Sequence, residues 1–356
     1  MTSLEQPPRE THTDVVVPDV AVSDTDPLVR RFFNLRTLGS FLLGFGMLAV
    51  VLPRMNVEVG GILARLSQAN VWLYLVALVF YYFTFPVRAF RWRKLLRNVG
   101  FLPNEGVRLP SIVGISEILL LSWFANCIVP AKLGDAYRAY LLKRNANVSF
   151  SKTFGTIVAE RMIDTLLLFV LMGVSTSLAF RGALPGQVLG ILQGGFLLVL
   201  IVLVGLLSMR NLSRFITPLV PSRFRSHYGL LQAGTLGAFG RGRMPMILVY
   251  SLVAWGIEAG RLYLVCLALG VSQLAWPVLL FVALSAALLT TLPITPAGLG
   301  FVESAVVGIL LLASNAGLIS GMDENLAASV AILDRTISYW SLIVVGLILY
   351  GLSKRR

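Results

Sequence analysis

Six runs of apolar residues constrain this chain most: Leu38–Pro53, Val71–Pro86, Thr153–Phe180, Gly186–Ser208, Met244–Leu269 and Leu326–Tyr350. Each is 16 to 28 residues long, close to the roughly 20 that an α-helix needs to cross a ~30 Å hydrocarbon core. Polar, Gly or Pro residues bound every run, as helices ending at a lipid–water boundary require. With 13% charged and 56% apolar residues, against about a quarter charged in soluble domains, too little polar surface is left for a soluble fold. The expectation is an all-α polytopic membrane protein, and most soluble enzyme classes are excluded. Cys127 and Cys266 both sit in apolar stretches, where cysteine serves as a small apolar filler rather than a disulfide partner.

The formal charge of +13 is unevenly spread. The first 29 residues hold Glu5, Glu10, Asp14, Asp19, Asp24 and Asp26 against Arg9. Their Pro, Thr and Asp content, without apolar periodicity, predicts a disordered acidic tail over residues 1–36. No basic segment leads into a short apolar core, so the tail does not read as a signal peptide. Bases in the body gather in alternate loops. Arg30, Arg31 and Arg36 precede the first run; Arg88, Arg91, Arg93, Lys94, Arg97 and Arg108 follow the second. Arg210, Arg214, Arg223, Arg225, Arg241 and Arg243 follow the fourth, and Lys354, Arg355 and Arg356 close the sequence, while the intervening loops hold Arg54, Arg65 and Arg181. The positive-inside rule then predicts six crossings of the inner or plasma membrane with both termini cytoplasmic. The basic balance belongs to cytoplasmic loops rather than to nucleic-acid binding. Arg88–Arg97 alternates bases with Phe90, Trp92, Leu95 and Leu96, and reads as an interfacial helix on anionic lipid; Met209–Arg243 reads similarly.

Two further segments, Ser111–Leu142 and Pro277–Ala313, must each enter and leave on one face if that charge pattern is to hold. The first carries Lys132, Asp135 and Arg138 on its return limb, and each charge costs about 2.5 to 3.5 kcal/mol at mid-bilayer. A re-entrant helical hairpin shielded by protein avoids that cost. Pro293 and Pro296 break the centre of the second, which reads the same way. Pro130-Ala-Lys-Leu-Gly134 in one and Pro296-Ala-Gly-Leu-Gly300 in the other share a pattern. Each is followed by an acid, Asp135 or Glu303, and then by an acid–arginine pair, Glu160-Arg161 or Asp334-Arg335. Because the hairpins enter from opposite faces, residues 71–180 and 244–350 are expected to be inverted-topology repeats.

Glu117, Lys132, Asp135, Arg138, Glu160, Arg161, Asp164, Glu258, Arg261, Glu303, Asp334 and Arg335 lie within or at the edges of these elements. They are either local structural pairs (Glu160 with Arg161, Asp334 with Arg335, Glu258 with Arg261) or the lining of a polar interior between the repeats. Helices restarting after the proline breaks would aim N-terminal amides at the membrane interior and attract anions. With Lys132 and Arg138 beside it, the first hairpin suits a phosphate-sized head group. The second, with Glu303 and no cation nearby, suits a cationic group or a proton. The sequence has no G-x-x-x-x-G-K-[ST] loop and no His-Glu-x-x-His motif, and its histidines are His12 and His227. Its Ser and Thr residues have no histidine partner in the spans. No catalytic residue, metal or cofactor is expected, and the chain is not read as an enzyme.

Asn126-x-x-x-Pro130-x-Lys132-Leu-Gly134-Asp135-x-x-Arg138, Glu160-Arg161-x-x-Asp164, Pro296-Ala-Gly298-Leu-Gly300-x-x-Glu303 and Asp334-Arg335 follow one another in order. This set resembles the transmembrane region of lysylphosphatidylglycerol synthases, which also occurs as stand-alone flippase-like membrane proteins. The likeness runs from about Leu38 to the C-terminus. It implies a flippase-like domain over residues 37–356 that moves a phospholipid or lipid-linked head group between leaflets, with these motif residues binding the substrate. On that resemblance Lys132, Arg138 and Arg161 hold an anionic head group, while Asp135, Glu160 and Glu303 pair with them or take up protons. Lys132 and Asp135 stand where the family pattern leads one to expect Arg and Glu, and lysine lacks a bidentate grip on phosphate. Bifunctional members continue into a soluble aminoacyl-transferase domain; this sequence ends at Arg356, so synthase activity is not expected. The partners implied are membrane phospholipids, anionic or amine-bearing, with homo-oligomerisation left open. The alternative is a non-transporting accessory membrane protein that binds anionic lipid or an envelope enzyme through its basic loops.

Overall fold

A computed structural model of the chain describes residues 35–54, 58–129, 132–180, 186–211, 217–271, 275–290 and 295–355. The acidic tail expected over 1–36 falls outside these up to residue 34, as do Pro130, Arg181, Arg214 and Pro293. The structure is 85% helical without strands among the described residues. Among the described residues six helices are long and apolar enough to cross a bilayer: Val71–Asn98, Phe150–Ala179, Val188–Asn211, Met244–Ala268, Pro296–Asn315 and Glu324–Leu352. The chain is therefore an all-α polytopic membrane protein.

Five of these helices coincide with expected spans, and one does not. The first expected span lies in α1 (Leu35–Arg54), whose apolar stretch Phe41–Val50 is among the shorter apolar helices. Pro296–Asn315 has spanning length instead, although it was read as a hairpin limb. A short helix, α2 (Val59–Ser67), occupies a segment read as loop and buries Ile62.

Val71–Asn98 comprises α3 (Val71–Tyr82) and α4 (Thr84–Asn98), joined at Phe83. Asn70 starts α3 by accepting the amides of Trp72 and Leu73 at 3.0 and 3.2 Å, satisfying donors that lack a helical partner. The span was expected to stop at Pro86. It continues because Pro86 sits in the first turn of α4, where a missing N–H costs no hydrogen bond. Consequently Arg88–Arg97 is not an interfacial helix. Arg88, Arg91, Trp92, Leu95 and Leu96 are all buried, and only Phe90 of its apolar residues is exposed. The bases tolerate burial because acids from other helices meet them.

The first hairpin comprises α5 (Ile112–Ile128) and α6 (Leu133–Ala146), with Ser111 capping the former through the Gly114 amide. Then follow α7 (Phe150–Phe180) and α8 (Gly186–Asn211). Phe196, Leu197, Ile201 and Val204 on α8 are exposed, a face that only lipid solvates favourably. The basic loop contains α9 (Ser222–Ala238), which is bound to α7 through two glycines. A Cβ on Gly234 would lie 2.2 Å from the Lys152 carbonyl oxygen, and one on Gly155 2.3 Å from that of Leu231. Backbones approach this closely only where side chains are absent. The second half holds α10 (Met244–Ala268), α11 (Trp276–Thr290), α12 (Phe301–Asn315), α13 (Glu324–Arg335) and α14 (Ser341–Leu352). A π-helical turn, Thr336–Trp340, joins the last two directly after the Asp334-Arg335 pair, and such turns gather at functional sites.

Candidate functional site

Both Pro-Ala-x-Leu-Gly segments place their third residue in the left-handed backbone region: Lys132 at φ +53° and Gly298 at φ +74°. For lysine that conformation costs roughly 1 kcal/mol or more, so the surroundings must hold it. Gly134 supplies part of that hold. Its amide donates to Asn126 Oδ1 at 2.9 Å and its carbonyl accepts from Ser122 Oγ at 2.8 Å. Gly300, at φ +87°, donates its amide to Glu303 Oε2 at 2.7 Å. These two amides are thus taken within the protein, which corrects the expectation that the helix starts offer them to an anion. Pro296 is buried in a single 3-10 turn, Pro296–Gly298; Pro130 lies outside the described residues.

The acid–arginine neighbours do not pair with each other, because adjacent helical residues face different directions. Glu160 receives Arg91 at 2.7 Å and Arg138 at 2.8 Å, while Arg161 turns to grip both oxygens of Asp135 at 3.0 and 2.8 Å. Arg91 also clasps both oxygens of Asp164 and donates to Ser251 Oγ. In the second half Arg261 holds both oxygens of Asp334 at 2.8 and 3.0 Å. Arg335 donates to Glu303 Oε1 at 2.6 Å and to the Ala297 carbonyl at 3.1 Å. The reading of Glu303 as a carboxylate without a nearby cation is corrected: a residue 32 positions on supplies one. Glu258–Arg261, at 2.7 Å, is the local pair that forms as expected. Glu258 also takes Arg88 at 3.4 Å, the one ion pair among the described residues that joins 71–180 to 244–350.

The two halves repeat one wiring order. An arginine of the first span, Arg91 or Arg261, binds the acid of the acid–arginine pair, Glu160 or Asp334. The arginine of that pair, Arg161 or Arg335, then binds the acid of the preceding hairpin, Asp135 or Glu303. Aromatic rings back the buried guanidiniums. Trp92 lies 3.7 Å from Arg138 Cζ, and Trp123 and Trp255 lie 4.8 and 5.8 Å from Arg88 Cζ, contacts that favour a desolvated cation.

A cavity lined by residues of both 71–180 and 244–350 lies between them. Among the expected site residues Asn126, Lys132, Arg161, Asp164, Asp334 and Arg335 line it. Asp135, Arg138, Glu160, Glu303 and the motif residues Gly134, Pro296, Gly298 and Gly300 do not; they hold the lining residues or shape the breaks. Arg88, Trp123, Trp255, Glu258 and Arg261 also line it and were not among the expected site residues. Glu258 and Arg261 were visible as charges inside an apolar run. Arg88 was hidden in a basic stretch whose buried phase only the continuation of α3 into α4 reveals. Part of the lining is apolar, with Ala283, Ala286, Ala287, Leu288 and Leu342.

This fold and site define a multi-pass helical membrane protein built around a charge-lined interior. Residues 38–346 match the family described as the lysylphosphatidylglycerol synthase TM region, and the chain belongs to that family. It is 33% identical to a UPF0104 membrane protein of Methanocaldococcus jannaschii, covering 65% of this chain and 95% of that protein. A UPF0104 membrane protein of Pyrococcus horikoshii is 27% identical over 80% of this chain and 88% of its own length. The glycosyltransferase AglD of Haloferax volcanii is 28% identical over 73% of this chain; the match spans 46% of AglD.

Proposed function

We propose that this protein is a lipid translocase that passes a phospholipid or lipid-linked head group between leaflets through the cavity. The observation that carries this reading is the mixed lining: charged and aromatic side chains together with apolar ones around a single space. A molecule with a polar head and hydrocarbon chains fits such a space, and ionisable groups at membrane depth mark substrate paths. In this reading α5–α6 and α11–α12 are re-entrant hairpins, and residues 71–180 and 244–350 are inverted repeats that rock against each other. The repeated left-handed residue and the repeated ion-pair order support a duplication. Both termini face the cytoplasm of the inner or plasma membrane, following the loop bases. Lys132 and Arg161 meet the head group, and the protein works by binding rather than by bond chemistry. The likeness to a protein named a glycosyltransferase adds lipid-linked sugars to the head groups worth testing.

The test is leaflet exchange in liposomes. Purified protein is reconstituted with fluorescent phospholipids or a fluorescent lipid-linked sugar phosphate, and a membrane-impermeant reductant bleaches the outer leaflet. The expected result is loss of signal beyond one half, at least about tenfold faster than in protein-free liposomes, and slowed by Lys132→Ala. Exchange at the protein-free rate for every lipid would leave the accessory, lipid-binding reading in its place.

A further inference from the structure

We propose that the cavity selects a head group with a single net negative charge, a phosphodiester, over amine-bearing zwitterions and doubly charged phosphomonoesters. Lys132 is its charge partner. The inference rests on the translocase reading only in taking a lipid as the occupant.

The argument begins with charge balance. The buried network described above sets six arginines against six carboxylates. Lys132 is the cation left over: it lines the cavity and, among the described residues, its ammonium makes no hydrogen bond or ion pair. Lys132 is half-buried, and a charge withdrawn from water without a counter-ion in contact is costly; one negative charge on the occupant reduces that cost. A second negative charge would recreate the same imbalance with opposite sign.

The hydrogen-bonding capacity of the lining points the same way. The cavity's carboxylates, Asp164, Glu258 and Asp334, each receive arginine N–H groups on both oxygens. An incoming ammonium would meet carboxylates whose charge buried arginines already balance. The Lys132 ammonium, in contrast, lines the cavity as a donor with no hydrogen-bond partner among the described residues. An ammonium can only donate, so it matches a phosphate oxygen and offers another ammonium nothing. Discrimination of this kind comes from leaving the wrong ligand's groups unpaired.

Equilibrium binding to the full chain in detergent, measured by titration calorimetry, tests this with four probes. These are the dihexanoyl forms of phosphatidylglycerol, phosphatidic acid and phosphatidylethanolamine, and inorganic phosphate. Phosphatidylglycerol is expected to bind about tenfold more tightly than either other lipid, with inorganic phosphate far weaker because it lacks chains for the apolar part of the lining. Lys132→Gly keeps the left-handed backbone and removes the charge; it should bring the three lipids to within about twofold. Equal binding of phosphatidylethanolamine or phosphatidic acid, no binding of phosphatidylglycerol, or an undiminished preference in Lys132→Gly would overturn the inference. Inorganic phosphate binding as tightly as phosphatidylglycerol would also overturn it by making the occupant a free oxyanion. Selective binding without leaflet exchange would remove the translocase reading alone, whereas exchange with no head-group preference would remove this inference alone.

Discussion

Arg261 and Asp334, 73 residues apart, meet fork to fork: Nε and Nη2 of one lie 2.8 and 3.0 Å from the two oxygens of the other, both side chains buried. This pair ties α10 to α13 beside the cavity. Removing one partner of such a pair leaves a bare buried charge, which costs about 3 to 5 kcal/mol. Arg261→Met should therefore lower thermal stability sharply, read as the unfolding midpoint of tryptophan fluorescence in detergent. Arg261→Met with Asp334→Leu should regain much of the loss. A double variant no better than the single would show that packing, not charge, is at stake.

Gly134 and Gly308 make a contrasting pair. A Cβ on Gly134 would lie 2.1 Å from the Ser122 carbonyl and 2.6 Å from Asn126 Oδ1, whereas one on Gly308 meets nothing within 4 Å. Gly134→Ala is expected to cost about 1 to 3 kcal/mol by forcing the limbs of the first hairpin apart. Gly308→Ala should stay within about 1 kcal/mol of wild type, on the stabilising side. The same fluorescence melt ranks the two.

Lys132 holds a backbone conformation that its motif partner fills with Gly298. Lys132→Gly relieves roughly 1 kcal/mol of backbone strain, partly offset by the freer unfolded chain. The variant should melt no lower than wild type while its lipid exchange falls. A lower melt would mean that the ammonium, rather than the backbone, is structural.

Glu258 links the halves through Arg88 at 3.4 Å while Arg261 keeps its grip on Asp334 without it. Glu258→Gln leaves the buried Arg88 guanidinium without a carboxylate and is therefore expected to lower the melt, by less than Arg261→Met because Arg88 keeps Thr84 and two tryptophan rings, and, with the halves rocking as proposed, to alter the rate of leaflet exchange by about threefold or more. An unchanged rate would place the moving boundary elsewhere.

Much of this architecture was legible before any coordinates, because lipid enforces long apolar helices and leaves the loop bases in view. The ionisable residues of the interior were also visible, since charges inside apolar runs stand out. Their partners were not. Glu160 sits beside Arg161 in sequence but faces Arg91, 69 residues away, and Glu303 finds Arg335 only once α12 and α13 pack. Helical phase decides such pairings, and the phase of α4 was obscured by Pro86, which suggested an end where the helix in fact restarts. Arg88 and Arg91 were therefore assigned to the lipid surface. Val59–Ser67 was missed because a nine-residue helix that buries one side chain leaves only a faint pattern.

The glycine crossing of α7 and α9 has a practical corollary. Gly155 and Gly234 leave so little clearance that the two helices must travel as one piece. Arg223, exposed near the start of α9, is therefore the tip of a pointer whose shaft is α7 and whose base carries Glu160, Arg161 and Asp164. A spin label there would report, at a distance, any displacement of those charged residues.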